Sequence, residues 1–314
     1  MVTAARSEGV LRLPPRVLVI AGSTACGKSE LAVLLAEKLD AEIVGADSRQ
    51  VYRFMDVGTA KPTQEQRARA AHHLVDIVDP DEDYDVAAWR SAALSALAAI
   101  HSRGCRAIVC GGTGLYLRSL GRGLFAGPAA DPAVRERLQR EERQSPGALH
   151  RRLCELDAAS ARRIHANDLV RTVRALEVHE LTGRPLSAWL AEHVLSERPF
   201  DMLTLEVEIE REILRERIVA RSRAMVDAGI VDELAALHRR YPANTRAFDA
   251  IGYRQAADCL AGRLAPDHLA DAISVATVQY AKRQRTWLRG QLETTQVAAG
   301  SDSAALRLAG DFFS

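Results

Sequence analysis

The sequence predicts an α/β protein in which helices flank a parallel sheet and an all-helical subdomain is inserted into the chain. Apolar runs typical of buried strands alternate with amphipathic helices up to about residue 121 and resume near residue 199. Between these parts, strand patterns are missing, and Pro132, Pro146, Gly183 and Pro185 separate short helical stretches.

The first predicted strand leads into a phosphate-binding loop. The apolar run 17–21 and the helical pattern 30–39 flank a segment that fits G-x-x-x-x-G-K-[ST]: Gly22, Ser23, Thr24, Ala25, Cys26, Gly27, Lys28 and Ser29. In this context the pattern predicts backbone N–H groups around a polyphosphate, with Lys28 adding a charge and Ser29 placed to hold Mg²⁺. It predicts a P-loop NTPase-like core, but does not indicate what happens to the phosphate.

A second buried strand, 42–46, ends at Asp47. Ligands collect at the carboxyl edge of an open parallel sheet, so Asp47 lies near the phosphate loop if the two strands are neighbours. The alternative is that Asp47 only caps the following turn. A third strand is predicted at 72–78; because His72 and His73 would point to opposite faces, a structural role is favoured over metal binding.

The next predicted strand, 106–110, runs into Gly111, Gly112, Thr113 and Gly114. A double glycine lets a backbone approach a ligand closely, and Thr113 offers a hydroxyl there. A tight turn into the following helix explains the same pattern equally well.

Arginine dominates the inserted segment. Residues 118–198 contain fourteen arginines, no lysine and eleven acidic residues, a net charge of +3. These arginines either line a nucleic-acid phosphate backbone or form ordinary solvated surface with the interleaved glutamates, and both interpretations remain open.

The chain returns to the sheet at 202–209, and a helix follows at 211–229. Arg217 and Arg221, four residues apart, lie on one face and either grip a diphosphate or pair with Glu212 and Glu216. The last long helix, 266–288, ends in a basic stretch that contains aromatic residues. Such a stretch is typical of nucleic-acid binding, but basic residues are also favoured at any helix C-terminus by the helix dipole.

The overall composition indicates the cellular environment of the protein but does not identify its binding partner. The 314 residues carry a net charge of +1, and the five cysteines form no C-x-x-C pair, which favours reduced thiols. No apolar run reaches the length of a membrane span, so we expect a cytoplasmic protein. We also expect it to be a monomer. The predicted parts are a flexible leader at 1–15, the core at 16–121 and 199–292, the helical insertion at 122–198, and a C-terminal tail at 293–314.

These segments together resemble the bacterial-type tRNA dimethylallyltransferases, also called tRNA isopentenyltransferases. The matching segments stand in the family's order, at 21–29, 46–52, 55–62, 73–76, 111–116, 130–132 with Arg135, 167–168 with Arg171 and Arg174, 251–255, 281–284 and 286–289. Two departures occur in the loop, where Ser23 replaces the usual Pro and Cys26 the usual Ser. Neither side chain needs to contact phosphate, so we expect no loss of activity.

The resemblance implies transfer of a dimethylallyl group from dimethylallyl diphosphate to the N6 amine of the adenosine 3′-adjacent to the anticodon in tRNA. It implies Asp47 as base, Thr113 and Lys28 as further catalytic residues, and Mg²⁺ as cofactor. Diphosphate would bind residues 22–29 with Arg217 or Arg221. The implied tRNA contacts are Asp47, Ser48, Arg49, Gln50, Thr113, Arg135, Val170, Arg171, Thr172, Val173, Arg174, Asp249, Ala250, Ile251, Gly252, Tyr253 and Arg254.

Three other functions use the same loop. A small-molecule kinase would turn over ATP without RNA, and an adenylate isopentenyltransferase would prenylate free nucleotide. A non-enzymatic RNA-binding regulator would tolerate Asp47→Ala. The helical insertion and the implied tRNA contacts favour tRNA as the acceptor.

Overall fold

The computed structural model describes residues 14–125, 127–192 and 199–314. The chain divides into two compact units, Met1–Gly121 with Arg198–Ser314, and Arg122–Glu197. The second unit differs from the predicted insertion only at its last residue. The predicted leader lies outside the described residues, except for Pro14 and Pro15.

The amino-terminal part of the first unit alternates strands and helices, as the apolar runs predict. Its elements are β1 (Arg16–Ala21), α1 (Lys28–Leu39), β2 (Ala41–Gly45), α2 (Gln64–Arg69), β3 (His72–His73), α3 (Val86–Ser102), β4 (Arg106–Gly111) and α4 (Gly114–Arg122). Asp85 begins α3 by accepting hydrogen bonds from the N–H groups of Ala87 and Ala88, which satisfies two otherwise unpaired donors.

All the described secondary-structure elements of the second unit are helices. It consists of α5 (Pro132–Gln144), α6 (Ala148–Leu156), α7 (Ala158–Arg163), α8 (Leu169–Thr182) and α9 (Leu186–Glu192). Asp131, Asp157 and Asp168 cap the amino ends of α5, α7 and α8. Leu138, Leu149 and Leu176 are fully buried and form the centre of a core within this unit.

The chain then completes the first unit. Its remaining elements are β5 (Asp201–Glu208), α10 (Arg211–Asp227), α11 (Ile230–His238), α12 (Tyr253–Leu260), α13 (Leu269–Gln291), β6 (Thr295–Ala298) and α14 (Asp302–Phe313), with 3-10 turns at Arg246–Asp249 and Pro266–His268. Among the described helices, none combines the length and the hydropathy that a membrane span needs.

The described strands form one parallel sheet in the order β3-β2-β4-β1-β5-β6. The central strand β1 is buried on both faces, since Leu18 and Ile20 pack with α1 while Val17 and Val19 pack with α3. This double burial explains why its sequence is continuously apolar rather than alternating. Because all strands are parallel, their carboxyl ends meet at one edge, where the phosphate loop also lies.

The prediction of a C-terminal tail at 293–314 is wrong. Residues 295–298 form the sheet strand β6, which pairs with β5, and α14 contacts α1. Ala305 and Ala309 are fully buried one helical turn apart. The small, polar composition of this segment suggested flexibility, but a helix needs only such a narrow apolar stripe to pack against a sheet.

The third strand is shorter than predicted. Only His72 and His73 pair with β2, because Leu74 and Asp76 adopt positive φ angles of 61° and 59° and the chain turns. His73 Nε2 lies 2.6 Å from Glu42 Oε2, and His72 Nδ1 lies 2.8 Å from the Ala70 carbonyl oxygen. Both histidines therefore have structural partners, as predicted.

Candidate active site

The loop between β1 and α1 has the geometry of a phosphate-binding loop. A Cβ on Gly22 would lie 2.7 Å from Cys26 Sγ, and Gly27 has a φ of 100°, so both positions require glycine. Lys28 Nζ donates to the Ser23 carbonyl oxygen at 3.2 Å, which holds its charge over the loop. Helix α1 begins at Lys28, so its positive end points at the loop.

Two arginines of α10 reach the loop. Arg217 Nη1 lies 3.4 Å from the carbonyl oxygen of Cys26, and Arg221 Nη1 lies 3.4 Å from Thr24 Oγ1. In the part of the chain that the structure describes, neither forms an ion pair with a carboxylate, so the alternative with Glu212 and Glu216 is not realised. Burial lowers the pKa of Arg221, against the opposing effect of the Asp47 charge. An arginine remains protonated in any case, and this one suits an anion.

Beside the loop lies a cavity of about 350 Å³. Its polar wall includes Thr24 and Arg221 on the loop side, and its apolar wall combines side chains of α10, the 250–251 turn and α13. Charged lining residues are Asp47, Arg49, Arg221, Asp249, Arg254 and Arg283, and apolar ones are Ile218, Met225, Ala250, Ile251 and Ile273. The cavity thus offers an anion site next to a small hydrophobic surface.

Asp47 lines this cavity and also caps a turn, so capping is not its only feature. Its Oδ1 accepts hydrogen bonds from the N–H groups of Arg49 at 2.8 Å and Gln50 at 3.4 Å. Within residues 14–125, 127–192 and 199–314, Oδ2 has no hydrogen-bond partner. One oxygen of the carboxylate is therefore fixed, and the other is available to a ligand.

The strands that carry Asp47 and the loop are not neighbours, contrary to the condition assumed from the sequence. Strand β4 lies between β2 and β1. Strand β4 does not separate Asp47 from the phosphate loop, because it ends at Gly111 and Gly112 follows. An added Cβ would lie 2.1 Å from the Ala46 carbonyl oxygen at Gly111, and 3.1 Å from the Gly22 carbonyl oxygen at Gly112. The double glycine thus allows protein segments to pack closely at the edge of the sheet.

Thr113 contacts the Asp47 turn. Its Oγ1 accepts from the Ser48 N–H at 3.0 Å, and its own N–H donates to the Ala46 carbonyl oxygen at 3.2 Å. The threonine does not line the cavity with Thr24 and Asp47. Its role at the leaving group stays a prediction, and the observed contacts fix the turn that carries Asp47.

Gln284 and Trp287 of α13 pack against these loops. The Gln284 side chain accepts from the Thr24 N–H and donates to the Gly112 carbonyl oxygen. A Cβ on Gly114 would lie 2.1 Å from the Trp287 ring, so this glycine is required for the contact. The basic end of α13 therefore turns its buried side towards the phosphate loop.

The segment 249–254 divides between the cavity and the core. Asp249, Ala250, Ile251 and Arg254 line the cavity. Tyr253 is fully buried, and its hydroxyl donates to Glu233 Oε1 at 2.6 Å. Tyr253 is therefore a core residue here, which contradicts its prediction as a tRNA contact, and Gly252 is likewise buried.

Gln50 also has a structural role. Its Nε2 donates to the carbonyl oxygens of Thr59 at 3.3 Å and Ala60 at 3.0 Å. It therefore holds the 58–59 segment, which lines the cavity.

In the helical unit, Arg135 and Arg174 converge on one carboxylate. Arg135 Nε and Nη2 lie 2.8 and 3.0 Å from the two oxygens of Glu177, and Arg174 Nη1 lies 2.6 Å from Oε2. The Asp131 N–H also donates to Glu177, whose side chain is fully buried. The two arginines thus neutralise a buried charge, and their role as tRNA contacts stays a prediction.

The predicted stretch 170–174 is exposed only in part. Val170 is 74% exposed, and the Arg171 side chain is 67% exposed, at 3.4 Å from Asp168. Thr172 and Val173 are buried and face the core of this unit. Val170 and Arg171 remain candidate tRNA contacts.

The predicted metal ligand Ser29 lies exposed in the first turn of α1. In the described ranges, no group of three or more His, Cys, Asp or Glu side chains is placed to hold a metal. An ion here would draw its ligands mainly from phosphate oxygens and water, the usual arrangement for Mg²⁺. The single hydroxyl of Ser29 is compatible with that arrangement.

Sequence reasoning missed the apolar wall of the cavity. On α10, Ile218, Ser222 and Met225 line it at spacings of four and three, and on α13 the lining residues are Ile273, Thr277, Tyr280 and Arg283. This helical period was visible in the sequence. It could not be distinguished from ordinary packing, because the same period buries a helix against a core.

Comparison with known proteins identifies the chain's relatives. The family model described as IPP transferase matches residues 50–291, and the one described as isopentenyl transferase matches residues 15–73. The tRNA dimethylallyltransferase of Geobacter metallireducens is 47% identical, covering 88% of this chain and 91% of its own. That of Halorhodospira halophila is 50% identical, covering 90% and 93%.

Solved structures agree with these matches. A tRNA isopentenylpyrophosphate transferase from Bacillus halodurans superposes with a TM-score of 0.70 at 32% identity, covering 95% of this chain and 96% of its own. A eukaryotic dimethylallyltransferase acting on tRNA superposes with a TM-score of 0.79 at 27% identity, covering 95% and 79%. The chain therefore belongs to the IPP transferase family, the tRNA dimethylallyltransferases, and is a prenyltransferase.

Proposed function

We propose that this enzyme transfers the dimethylallyl group of dimethylallyl diphosphate to the N6 amine of the adenosine 3′-adjacent to the anticodon, as a cytoplasmic monomer. The observation that carries the proposal is the cavity, in which Asp47 shares a small, partly apolar space with the phosphate loop and Arg221. The apolar wall suits a five-carbon chain, and the cationic loop suits a diphosphate.

On the donor side, the enzyme must stabilise negative charge that grows on the leaving oxygens as the allylic carbon–oxygen bond breaks. Lys28, the loop N–H groups and the arginines at 217 and 221 supply positive charge for this purpose. Donors fixed before the reaction stabilise the transition state without reorganising. Ser29 and the diphosphate oxygens would hold Mg²⁺, which supplies further charge neutralisation when bound.

On the acceptor side, the adenine amine is a poor nucleophile and loses a proton as the carbon–nitrogen bond forms. Asp47 Oδ2 is available to orient the amine and accept that proton, while Oδ1 is held by the turn. The target base must leave the stack of the anticodon loop to reach a cavity of this kind. Arg49, Arg254 and Arg283 line the same cavity and suit the RNA phosphates beside an extruded base.

The three alternatives are weaker on specific grounds. A regulator does not require a carboxylate oxygen that faces an apolar cavity, and a kinase is disfavoured because the matching families are prenyltransferases. An adenylate isopentenyltransferase would share the cavity. The relatives named tRNA dimethylallyltransferase cover about nine-tenths of this chain, including its helical unit, and so favour tRNA as the acceptor.

The test supplies purified protein with Mg²⁺, dimethylallyl diphosphate and an unmodified anticodon stem-loop. The RNA is then digested, and the nucleosides are analysed by mass spectrometry. We expect one adenosine to gain a C₅H₈ unit, and no product when that adenosine is replaced by guanosine. Parallel reactions contain AMP as acceptor, or ATP without RNA. Unchanged stem-loop RNA, faster prenylation of AMP, or ATP turnover without RNA would overturn the proposal.

A further inference from the structure

The buried amide of Gln284 connects two loops of the active site. Its Oε1 accepts from the Thr24 N–H at 2.8 Å, and its Nε2 donates to the Gly112 carbonyl oxygen at 2.9 Å. The residue is only 8% exposed, and both ends of its amide are satisfied. The phosphate loop and the end of β4 are thus joined through one side chain of α13.

The connection continues from β4 to the proposed base. Directly after Gly112, Thr113 donates its N–H to the Ala46 carbonyl oxygen and accepts the Ser48 N–H through Oγ1. Residues 46 and 48 flank Asp47. A continuous series of hydrogen bonds therefore runs from the Thr24 N–H, beside the leaving group, to the turn that holds the carboxylate.

Close packing leaves this connection little freedom. A Cβ on Gly112 would lie 2.3 Å from Gln284 Nε2, so the backbone and the amide are in tight contact. One turn further along α13, Trp287 packs against Gly114 in the same way. A displacement of α13 would therefore shift both loops.

The chemistry of the site explains why the residue is a glutamine. The position requires an acceptor for an N–H and a donor for a carbonyl oxygen on one side chain, and the Gln amide provides both on two neighbouring atoms while uncharged. A carboxylate would leave the Gly112 carbonyl oxygen facing a negative charge. Gln284 also occupies the Thr24 N–H, so this loop donor is not available to phosphate.

We propose that Gln284 is a positioning residue that fixes the phosphate loop, and thus the leaving group, relative to Asp47. This inference rests on the proposed function. Alignment of donor, acceptor and base to within a fraction of an ångström accounts for a large part of catalysis in such a reaction, and a misplacement of about 1 Å can cost about 100-fold in rate.

The first test is Gln284→Met, which keeps the length and flexibility of the side chain but forms neither hydrogen bond. We expect kcat for prenylation to fall about 10- to 100-fold, while the KM for the stem-loop stays close to that of wild type. The matched control is Leu288→Ala on the same buried face of α13, which removes apolar packing but neither of the Gln284 hydrogen bonds to the loops. Both variants are assayed well below their melting temperatures.

A double-mutant cycle with Asp47→Asn separates positioning from general stabilisation. If Gln284 acts by aligning the donor with the base, its loss costs little once the base is gone, so the two effects are not additive. Additive effects, a kcat loss in Leu288→Ala equal to that in Gln284→Met, or full activity of Gln284→Met would overturn the inference. A wild-type enzyme that does not prenylate the stem-loop would instead overturn the proposed function.

Discussion

Replacing Asp47 by Asn isolates the proposed base from its structural role. Asparagine retains an Oδ1 that can accept from the N–H groups of Arg49 and Gln50, so the turn should persist. The change removes the basic oxygen that is available in the cavity. Loss of a general base typically costs about 10²- to 10⁴-fold, so we expect the prenylation rate to fall about 100-fold or more. Asp47→Ala should lose at least as much activity, because it removes the cap as well.

The assay is a single-turnover reaction at saturating dimethylallyl diphosphate and stem-loop RNA, with binding of the RNA measured separately. We expect binding to change little. The comparison variant is Asp249→Asn, which removes the same charge from the same cavity. A similar loss of rate in both variants would show that the effect is the charge of the cavity, and a loss confined to RNA binding would show that Asp47 is not the base. Either result refutes the reasoning.

Three further predictions concern other charged groups. Lys28→Ala should raise the Kd for inorganic pyrophosphate, measured by calorimetry, by roughly tenfold to a hundredfold, the usual value of a charge-assisted hydrogen bond. Glu177→Gln should reduce the free energy of opening of α8 by about 1.5–3 kcal/mol, measured by hydrogen exchange, because it leaves two partly buried arginines without their carboxylate. Burial acts to raise the pKa of Glu177, but hydrogen bonds from Arg135 and Arg174 lower it overall. The stability that Glu177 contributes is therefore complete above its ordinary pKa of 4.5 and is lost as pH falls below that value. The glutamine variant should lack this acid dependence. Arg171→Ala should reduce the slope of log K for RNA binding against log salt by about 0.7–0.9, as expected for one lost phosphate contact, and an unchanged slope would exclude that contact.

The sequence predicted the features that depend on neighbouring residues. The phosphate loop is contiguous, and its two glycines are required by contacts and angles within the loop itself, at Gly22 and Gly27. Its flanking strand and helix follow from apolar periodicity for the same reason. The capping of a turn by Asp47 is also local.

Features that depend on distant residues could not be predicted in this way. Gln284 meets Thr24 across 260 positions of the chain, and no spacing in the sequence indicates such a contact. Strand β6 was missed because a four-residue edge strand carries little pattern, and Val297 is its one buried residue. Tyr253 was assigned to tRNA because a short motif does not show which of its side chains point into the core.

Two pairs of arginines show why charge in a sequence does not identify a phosphate site. Arg135 and Arg174 resemble Arg217 and Arg221 in the sequence, since all four lie in helical segments that also contain glutamates. In the structure, the first pair meets the buried Glu177, which must be neutralised because an unpaired charge in the core is costly. The second pair donates to oxygen atoms of the phosphate loop, a carbonyl and a hydroxyl that carry no net charge, and within the described residues it forms no ion pair. The positive charge of Arg217 and Arg221 therefore suits an anionic ligand, whereas that of Arg135 and Arg174 first neutralises Glu177.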